Sequence, residues 1–470
     1  MILTISLILL ISLPLFFYSF IPYLKDLPNK HFNQKKILII VIGPLIRSPR
    51  MLNHIKSFLL NGFEVEVVGQ AMDNDLAELK DKFKSCYNLE SIGDEDKEDE
   101  NPNLHFHILN NVGKTQNGKL GLITKVLNQL KELLGILWRV RSCDYLLMQN
   151  PPSIPLLPLA IFSKILFDWK IIIDWHNFGY SILALKFGSE KSLFVKIYYI
   201  IEIYLGKFAD YHLTVTHKMK NVLRDTWKLN GKQLQLDRIS VLHDKPDLQF
   251  FPIDYNQRLD VVKTIKELSE EVKLIENLDN YKIGITSTSF TPDEDLGMLL
   301  NSLDSLNKKL GSINKKLLLI ITGKGPLKED FVSKFNTKVS KMDNIVVKFY
   351  YLKIEDYPKI LQISDFGISL HYSSSGVDLP MKVLDMFGCG LPCLSYYYKT
   401  VVEELIDVGK TGDVFEDEFH LSEKLYTMIS DDSKRIGMRT NVINQLNNGD
   451  RWMDSWLKSF KNDLNIVREL

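Results

Sequence analysis

Gly367-Ile-Ser-Leu-His-Tyr-Ser-Ser-Ser-Gly-Val-Asp-Leu-Pro-Met-Lys-Val-Leu-Asp-Met-Phe-Gly-Cys-Gly-Leu-Pro392 reads as a buried strand, a polar loop and the start of a helix in direct succession. Ser373, Ser374 and Ser375 offer hydroxyls, and Gly376 lets a ligand come close to the backbone. The helix beyond the loop points free N–H groups and its positive dipole end at it, an arrangement that suits an anion. Asp385 lies further along this helix, where a carboxylate reaches sugar or ribose hydroxyls.

Outward from this stretch the same grammar recurs. Lys35–Gly43 is a short apolar run ending in a glycine turn, as a buried parallel strand requires, and a helix is expected from about Arg50 to Leu60. Phe63–Gly69, Leu104–Leu109, Tyr145–Gln149 and Lys170–Asp174 are further strands of the first half. Tyr281–Thr286, Lys316–Thr322, Ile345–Phe349, Phe366–Leu370 and Pro392–Ser395 repeat the pattern in the second. Strands alternating with helical patterns imply two doubly wound, Rossmann-like α/β domains. Their seam is expected between about Pro246 and Asn280, where a charged helical stretch, Leu259–Leu278, intervenes. The charge block Gly93–Pro102 reads as a solvated loop.

A chain of 470 residues, 45% hydrophobic and 25% charged, has room for two ordinary domains and an appendage. Lysine plus arginine and aspartate plus glutamate both total 58, so there is no electrostatic case for nucleic acid. Cys86, Cys143, Cys389 and Cys393 lack paired zinc spacing and read as free thiols in a reducing compartment. Met1 to Leu24 carries no charge and approaches the ~20 apolar residues that cross a bilayer. Lys25, Lys30, Lys35 and Lys36 come next, which places the remainder on the cytosolic side of a single-span anchor; a cleaved signal peptide is the alternative, against which stand the missing basic n-region and small-x-small cleavage site. Ile154–Phe167 and Leu193–Leu205 are too short or too interrupted by charge to span. They are either core helices or an interfacial surface with Lys196 and Lys207 at headgroup level.

Four more stretches accompany the opening one: Asp144-Tyr-Leu-Leu-Met-Gln-Asn-Pro-Pro-Ser-Ile-Pro155, Ile173-Asp-Trp-His-Asn-Phe-Gly-Tyr180, Ser287-Thr-Ser-Phe-Thr-Pro-Asp-Glu-Asp295 and Ile321-Thr-Gly-Lys-Gly-Pro326. In this order they resemble the motifs of nucleotide-sugar glycosyltransferases of the GT-B fold, most closely the chitobiosyldiphosphodolichol β-mannosyltransferase family. The resemblance runs from about Ile37 to the Trp452–Trp456 region. After the transmembrane helix read at 1–24, it implies an N-terminal Rossmann-like acceptor domain (35–245). A linker or insertion (246–280), a C-terminal Rossmann-like donor domain (281–440) facing the first across a cleft, and a C-terminal helix (441–470) crossing back to the first domain complete it. Trp452–Leu464 is the candidate for the crossing.

The activity implied by the resemblance is inverting transfer of mannose from GDP-mannose to GlcNAc2-diphosphodolichol, forming a β-1,4 linkage, the first mannosylation of the lipid-linked oligosaccharide for protein N-glycosylation. The setting implied is the endoplasmic reticulum membrane, single-pass, with cytosolic catalytic domains and a complex with other dolichol-pathway mannosyltransferases. Another mannosyltransferase of that pathway, or a non-catalytic scaffold of such a complex, remains open. Donor binding falls to Thr286, Thr288, Ser289, Lys324, His371, Ser374, Ser375, Gly376, Met381, Lys382 and Asp385. Lys324, between two glycines at a strand's carboxyl end, is placed to reach a diphosphate. Acceptor binding falls to Arg47, Arg50, Gln149 and Asn150, with Ser153 beside them.

An inverting displacement needs one general base, and His176 is the candidate, as base or as a group positioning the donor. Asp174 either orients its ring or takes the proton itself. Two departures from the family pattern stand out. Gly43-Pro-Leu-Ile46 replaces Gly-Asp-x-Gly before Arg47-Ser-Pro-Arg50, and Val377 occupies the place of the first glutamate of the Glu-x7-Glu motif of retaining relatives. No cofactor is required, and a divalent metal stays open, since Asp-x-Asp patterns begin at Asp73, Asp94 and Asp293.

Overall fold

A computed structural model describes residues 35–467 except 85, 87–100, 110–129, 230–237, 266–267, 269–280, 292–293 and 354. The expected anchor at 1–24, Asp94 and most of the charge block, Asp293 and most of the 259–278 stretch lie outside the described residues. Among the described residues no helix is long and apolar enough to cross a membrane. The chain divides into two compact units. One runs to His243 and takes in Met453 onward; the other is Asp244–Trp452.

Unit 1 is built on a seven-stranded parallel sheet of β1 (Lys36–Pro44), β2 (Glu64–Gln70), β3 (Leu104–Ile108), β4 (Tyr145–Asn150), β5 (Lys170–Trp175), β6 (Tyr211–Thr214) and β7 (Ile239–Val241). Their order in space is β3-β2-β1-β4-β5-β6-β7. Ile37 to Ile40 are wholly buried, which explains the unbroken apolar run: helices cover both faces of such a sheet. The helices of this unit include α1 (Pro49–Leu60), α2 (Leu156–Phe167), α3 (Gly179–Phe187) and α4 (Leu193–Gly206). Pro49 opens α1, where its missing N–H costs nothing, and Met51, Ile55 and Phe58 turn the apolar face inward. The helix Trp452–Leu457, continued by a π turn over Lys458–Asp463, returns to this unit. Trp456 stacks on Phe460 at 4.4 Å and meets Phe58 edge-on at 4.9 Å.

Unit 2 repeats the plan with six parallel strands: β8 (Tyr281–Ser287), β9 (Lys316–Thr322), β10 (Ile345–Tyr350), β11 (Phe366–Ser369), β12 (Cys393–Tyr396) and β13 (Gly412–Phe415). Their order is β10-β9-β8-β11-β12-β13. Helix α5 (Leu296–Ile313) follows β8, and α6 (Met381–Gly388) follows β11. Residues 441–448 end a helix, Asp432–Asn448, that belongs to this unit rather than to a C-terminal crossing.

The strand order changes direction between β1 and β4 in unit 1 and between β8 and β11 in unit 2. At such a switch point the connections leave toward opposite faces and open a crevice at the carboxyl ends of the strands. The motifs legible in the sequence follow β1, β4, β5, β8, β9 and β11, all at these ends. β6, β7 and β13 are three or four residues long and escape a sequence reading, whereas the equally short β11 and β12 are marked by the loop and turn motifs beside them. β6 also carries a buried polar residue, His212, whose Nδ1 accepts from Trp175 Nε1 at 3.1 Å.

Candidate functional site

In unit 1 the chemistry gathers on Asp174, near the end of β5 and wholly buried. Arg50 of α1 meets it through two parallel bonds, Nε to Oδ2 and Nη2 to Oδ1, each 2.8 Å. His54, one turn along the same helix face, lies 3.1 Å from Oδ2 through Nε2, and His176 lies 2.9 Å from it through its own Nε2. Burial alone would raise the Asp174 pKa, but Arg50, His176 and His54 outweigh it and hold the carboxyl well below its usual value. Asp174 is therefore an anion with little basicity.

The tautomer of His54 is set by its neighbours. Trp456 donates from Nε1 to His54 Nδ1 at 3.0 Å, so Nε2 carries the proton that goes to Asp174. Burial, opposed by Asp174, depresses the pKa of His54 and keeps it neutral. His176 differs in exposure: its side chain keeps 24% of its surface, against none for Asp174 and His54. With Nε2–H directed at a carboxylate, Nδ1 is the ring nitrogen that can accept a proton. Asp174 thus holds the His176 ring through Nε2 and leaves Nδ1 off that contact.

Arg50, expected at the acceptor, is 3% exposed, with Nη1 donating to the Leu242 carbonyl at 2.8 Å and the rest of its fork on Asp174. It holds the unit together rather than facing a ligand. Arg47, in the short turn after β1, is exposed. Asn150 is also a correction. It is fully buried, its Nδ2 donating to Glu202 at 3.0 Å and its Oδ1 accepting from Ser153 Oγ. Glu202 of α4 further accepts from Ser153 Oγ at 2.7 Å and from Gly179 N and Tyr180 N at 2.9 and 3.1 Å, so one carboxylate fastens the loop after β4 to the first turn of α3. Gln149 is half-buried, and its Oε1 has no hydrogen-bond partner among the described residues.

In unit 2 the loops after β8 and β11 meet on Glu294, legible in the sequence only as part of an acidic helix start. Its carboxylate accepts from Thr288 Oγ1 at 2.5 Å and from Ser289 N at 3.0 Å, and pairs with Lys382 of α6. Lys382 also donates to the Ser287 carbonyl at 2.8 Å, and the backbone of Glu294 bridges that of His371. Lys382 is thus a strut between loops. The glycines flanking Lys324 also have a packing role: a Cβ on Gly323 would lie 1.9 Å from the Thr288 carbonyl oxygen, and one on Gly325 1.7 Å from that of Ser289. The β9 loop lies directly on the β8 loop, which leaves Lys324 exposed with Nζ 4.6 Å from the centre of the Tyr351 ring.

The loop after β11 is organised by Asp378, the neighbour of Val377. It accepts from Ser373 Oγ and, at 3.3 Å, from Ser375 Oγ, and His371 Nε2 lies 3.0 Å away. Ser373 in turn accepts from Gly376 N at 2.7 Å, and Gly376 has the left-handed φ of +70° that favours glycine. Ser374 is half-buried in the same loop, and Met381, at the first turn of α6, is 37% exposed. Thr286 is 1% exposed inside β8. On α6, burial together with the charges of Asp247 and Asp244 pushes the Asp385 carboxyl up to about 7, against the pull of Lys382.

Of the acids in Asp-x-Asp patterns, Asp295 caps α5, accepting from Met298 N. Among the described residues only Glu64, Glu66 and His105 are spaced to share a metal, and Lys36 already pairs with both glutamates.

No family model matches the sequence. A curated chitobiosyldiphosphodolichol β-mannosyltransferase of Candida glabrata is 38% identical over 466 residues, covering 97% of this chain and 96% of its own. The Kluyveromyces lactis protein of the same name is 37% identical over 438 residues, covering 92% and 90%. The chain belongs to the chitobiosyldiphosphodolichol β-mannosyltransferase family.

Its fold agrees with that membership. The crystal structure of Anabaena HepE in complex with UDP and glucose matches with a TM-score of 0.59 at 13% identity, covering 90% of this chain and 97% of that one. The two Rossmann-like units are those of a GT-B glycosyltransferase. Within this β-mannosyltransferase family member, the organising side chains that sequence reasoning misses are His54, Glu202 and Glu294. The spacing Arg50-x-x-x-His54 on an amphipathic helix is the one local signal for His54.

Proposed function

We propose that the chain transfers mannose from GDP-mannose to the distal GlcNAc of GlcNAc2-diphosphodolichol with inversion, forming the β-1,4 linkage. The acceptor 4-hydroxyl oxygen attacks the anomeric carbon, the bond from that carbon to the diphosphate oxygen breaks, and GDP leaves with the bonding pair. The hydroxyl proton passes to Nδ1 of His176, whose ring is held by the ionised Asp174. This pairing of a partly exposed histidine with a buried carboxylate of depressed pKa is the observation that carries the reading. Val377 at the position of a retaining enzyme's first glutamate supports it, because an inverting displacement needs no carboxylate behind the sugar.

Unit 2 receives the donor in this reading. Lys324 and the Ser374 and Ser375 groups of the loop before α6, beside the positive end of that helix, neutralise the diphosphate, and Asp385 accepts from the ribose hydroxyls. Lys382 and Glu294 hold the loops rather than the ligand. Arg47 meets the acceptor's diphosphate. No step is routed through a metal. Residues 1–24 anchor the chain in the endoplasmic reticulum membrane, and the lysines beyond them keep both units in the cytosol.

The test incubates the purified protein in lipid with GDP-mannose and a GlcNAc2-diphospho-lipid. A mannosylated lipid that β-mannosidase removes is the expected product. Its absence, with donor and acceptor proven on another enzyme, would overturn the reading and point to a non-catalytic role centred on the altered Gly43–Ile46 turn.

A further inference from the structure

Helix α4 is built inside out. Of its fourteen residues only Val195, Glu202 and Gly206 are buried, so the polar residue that an amphipathic helix would show to water faces inward. The apolar residues face outward instead. Leu193, Ile200 and Tyr204 keep 65%, 51% and 62% of their surface, and Phe208, just past the helix, 57%. Their spacing of seven, four and four residues puts them on one stripe. The stripe continues onto α3, whose last residue, Phe187, stacks on Phe194 with ring centres 5.7 Å apart and planes 19° from parallel.

The reason for the inversion is Glu202. Its carboxylate is needed beneath the helix to bind Asn150, Ser153 and the first turn of α3, and that fixes the rotation of α4 about its axis. Burying the carboxyl group and exposing several large apolar side chains both cost free energy, and a sequence retains that combination where another apolar phase covers the stripe.

Charge identifies the phase. Between Gly179 and Phe208 the exposed charged residues are Lys186, Lys191, Lys196 and Lys207 against Glu190 alone. Lys207 Nζ lies 5.4 Å from the Tyr204 ring centre, the pairing of an amphipathic aromatic with a lysine that carries its amine to the headgroup layer. Lysine is depleted in protein–protein interfaces, whereas aliphatic and aromatic side chains flanked by lysines suit the boundary between acyl chains and anionic headgroups.

We propose that the outward stripe of α4, continued onto α3, docks on an anionic lipid bilayer as a second membrane contact, independent of residues 1–24. It deepens the proposed function, since a polyprenyl acceptor is met at a bilayer surface. Its evidence and its readout nevertheless do not involve sugar transfer.

All four native cysteines are buried, so an introduced one can be labelled selectively. Full-length Tyr204→Cys, Ile200→Cys and, as a control on unit 2, Phe419→Cys are labelled with bimane. Each is reconstituted in phosphatidylcholine vesicles with and without phosphatidylserine, containing nitroxide-labelled lipid. Phe419 is 72% exposed on its own helix. The expected result is quenching at positions 204 and 200 several-fold above that at 419, stronger with phosphatidylserine, and reduced when Lys186, Lys191, Lys196 and Lys207 are changed to glutamine. Equal quenching at all three positions overturns the proposal. So does a blue-shifted bimane at 204 without lipid quenching, which would mean that protein covers the stripe. The Ile200→Cys variant keeps the test decisive if Tyr204→Cys fails to fold.

Discussion

The Arg50 guanidinium and the Asp174 carboxylate meet through two parallel bonds of 2.8 Å, out of contact with water and 124 residues apart in sequence. Because the pair is buried, its members are far more costly to lose singly than the pair was to gain. It also sets the charge on which His176 depends.

Arg50→Met is expected to destabilise the protein by roughly 3–5 kcal/mol, because Asp174 is left buried with its main cation gone. Arg47→Ala, at an exposed turn residue, is expected to stay within about 0.5 kcal/mol of the parent and to raise KM for the lipid acceptor. Urea unfolding of both variants checks the first claim, and acceptor titration of Arg47→Ala the second. Equal stability of the two variants would remove Arg50 from its structural role.

His176→Ala is expected to lower kcat by roughly 10²- to 10⁴-fold, the usual size of a general-base contribution, with the unfolding midpoint little changed. The ring is partly exposed and lends Asp174 one of several bonds, so the fold does not rest on it. A variant with full kcat would move the proton elsewhere.

Asp174 also predicts an acid limit. Its folded-state pKa is depressed, so the unfolded chain binds the more protons as pH falls through the usual carboxylate range. The contribution of Asp174 is present above that range and is lost as pH drops toward its folded value. Urea midpoints measured downward from pH 6 are expected to fall, and less so in Arg50→Met, where the cation that depresses the pKa is absent.

Asp385 predicts the opposite sign. Its pKa is raised to about 7, so between the ordinary carboxylate value and 7 the folded protein holds a proton that the unfolded chain has released. That contribution therefore declines as pH rises through the interval, and Asp385→Asn is expected to flatten the slope. Ribose hydroxyls donating to the ionised form would lower the pKa, so GDP is expected to bind more tightly at pH 8 than at pH 6 and to release a proton. Calorimetry in buffers of different ionisation enthalpy reads that proton directly, and no buffer dependence would separate Asp385 from the nucleotide.

Gly325→Ala is expected to destabilise unit 2 by about 1–3 kcal/mol and to weaken GDP-mannose binding, because its Cβ would lie 1.7 Å from the Ser289 carbonyl oxygen. The obstacle is backbone and cannot swing aside. A neutral substitution would show that the β8 and β9 loops are not in register as described.

The parallel sheets can be read from residue order alone, because a strand covered on both faces must be apolar at every position, as Ile37–Ile40 and Leu317–Ile321 are. The same order also placed the polar loops at the strands' carboxyl ends, since glycine, serine and proline end those runs visibly. It carried the family, through motifs in order. Which polar residues meet is visible only once the chain is folded. Arg50, His54, Asp174 and Trp456 converge from α1, β5 and the C-terminal helix, and no local pattern encodes a contact across hundreds of residues. The same holds for Glu294, legible as a helix-opening acid but serving as the acceptor for Thr288 and Lys382, and for Asn150, legible as a loop-end polar residue but buried on Glu202. Burial is a property of the whole packed chain, and it separates side chains that hold the fold from those that remain available to a ligand.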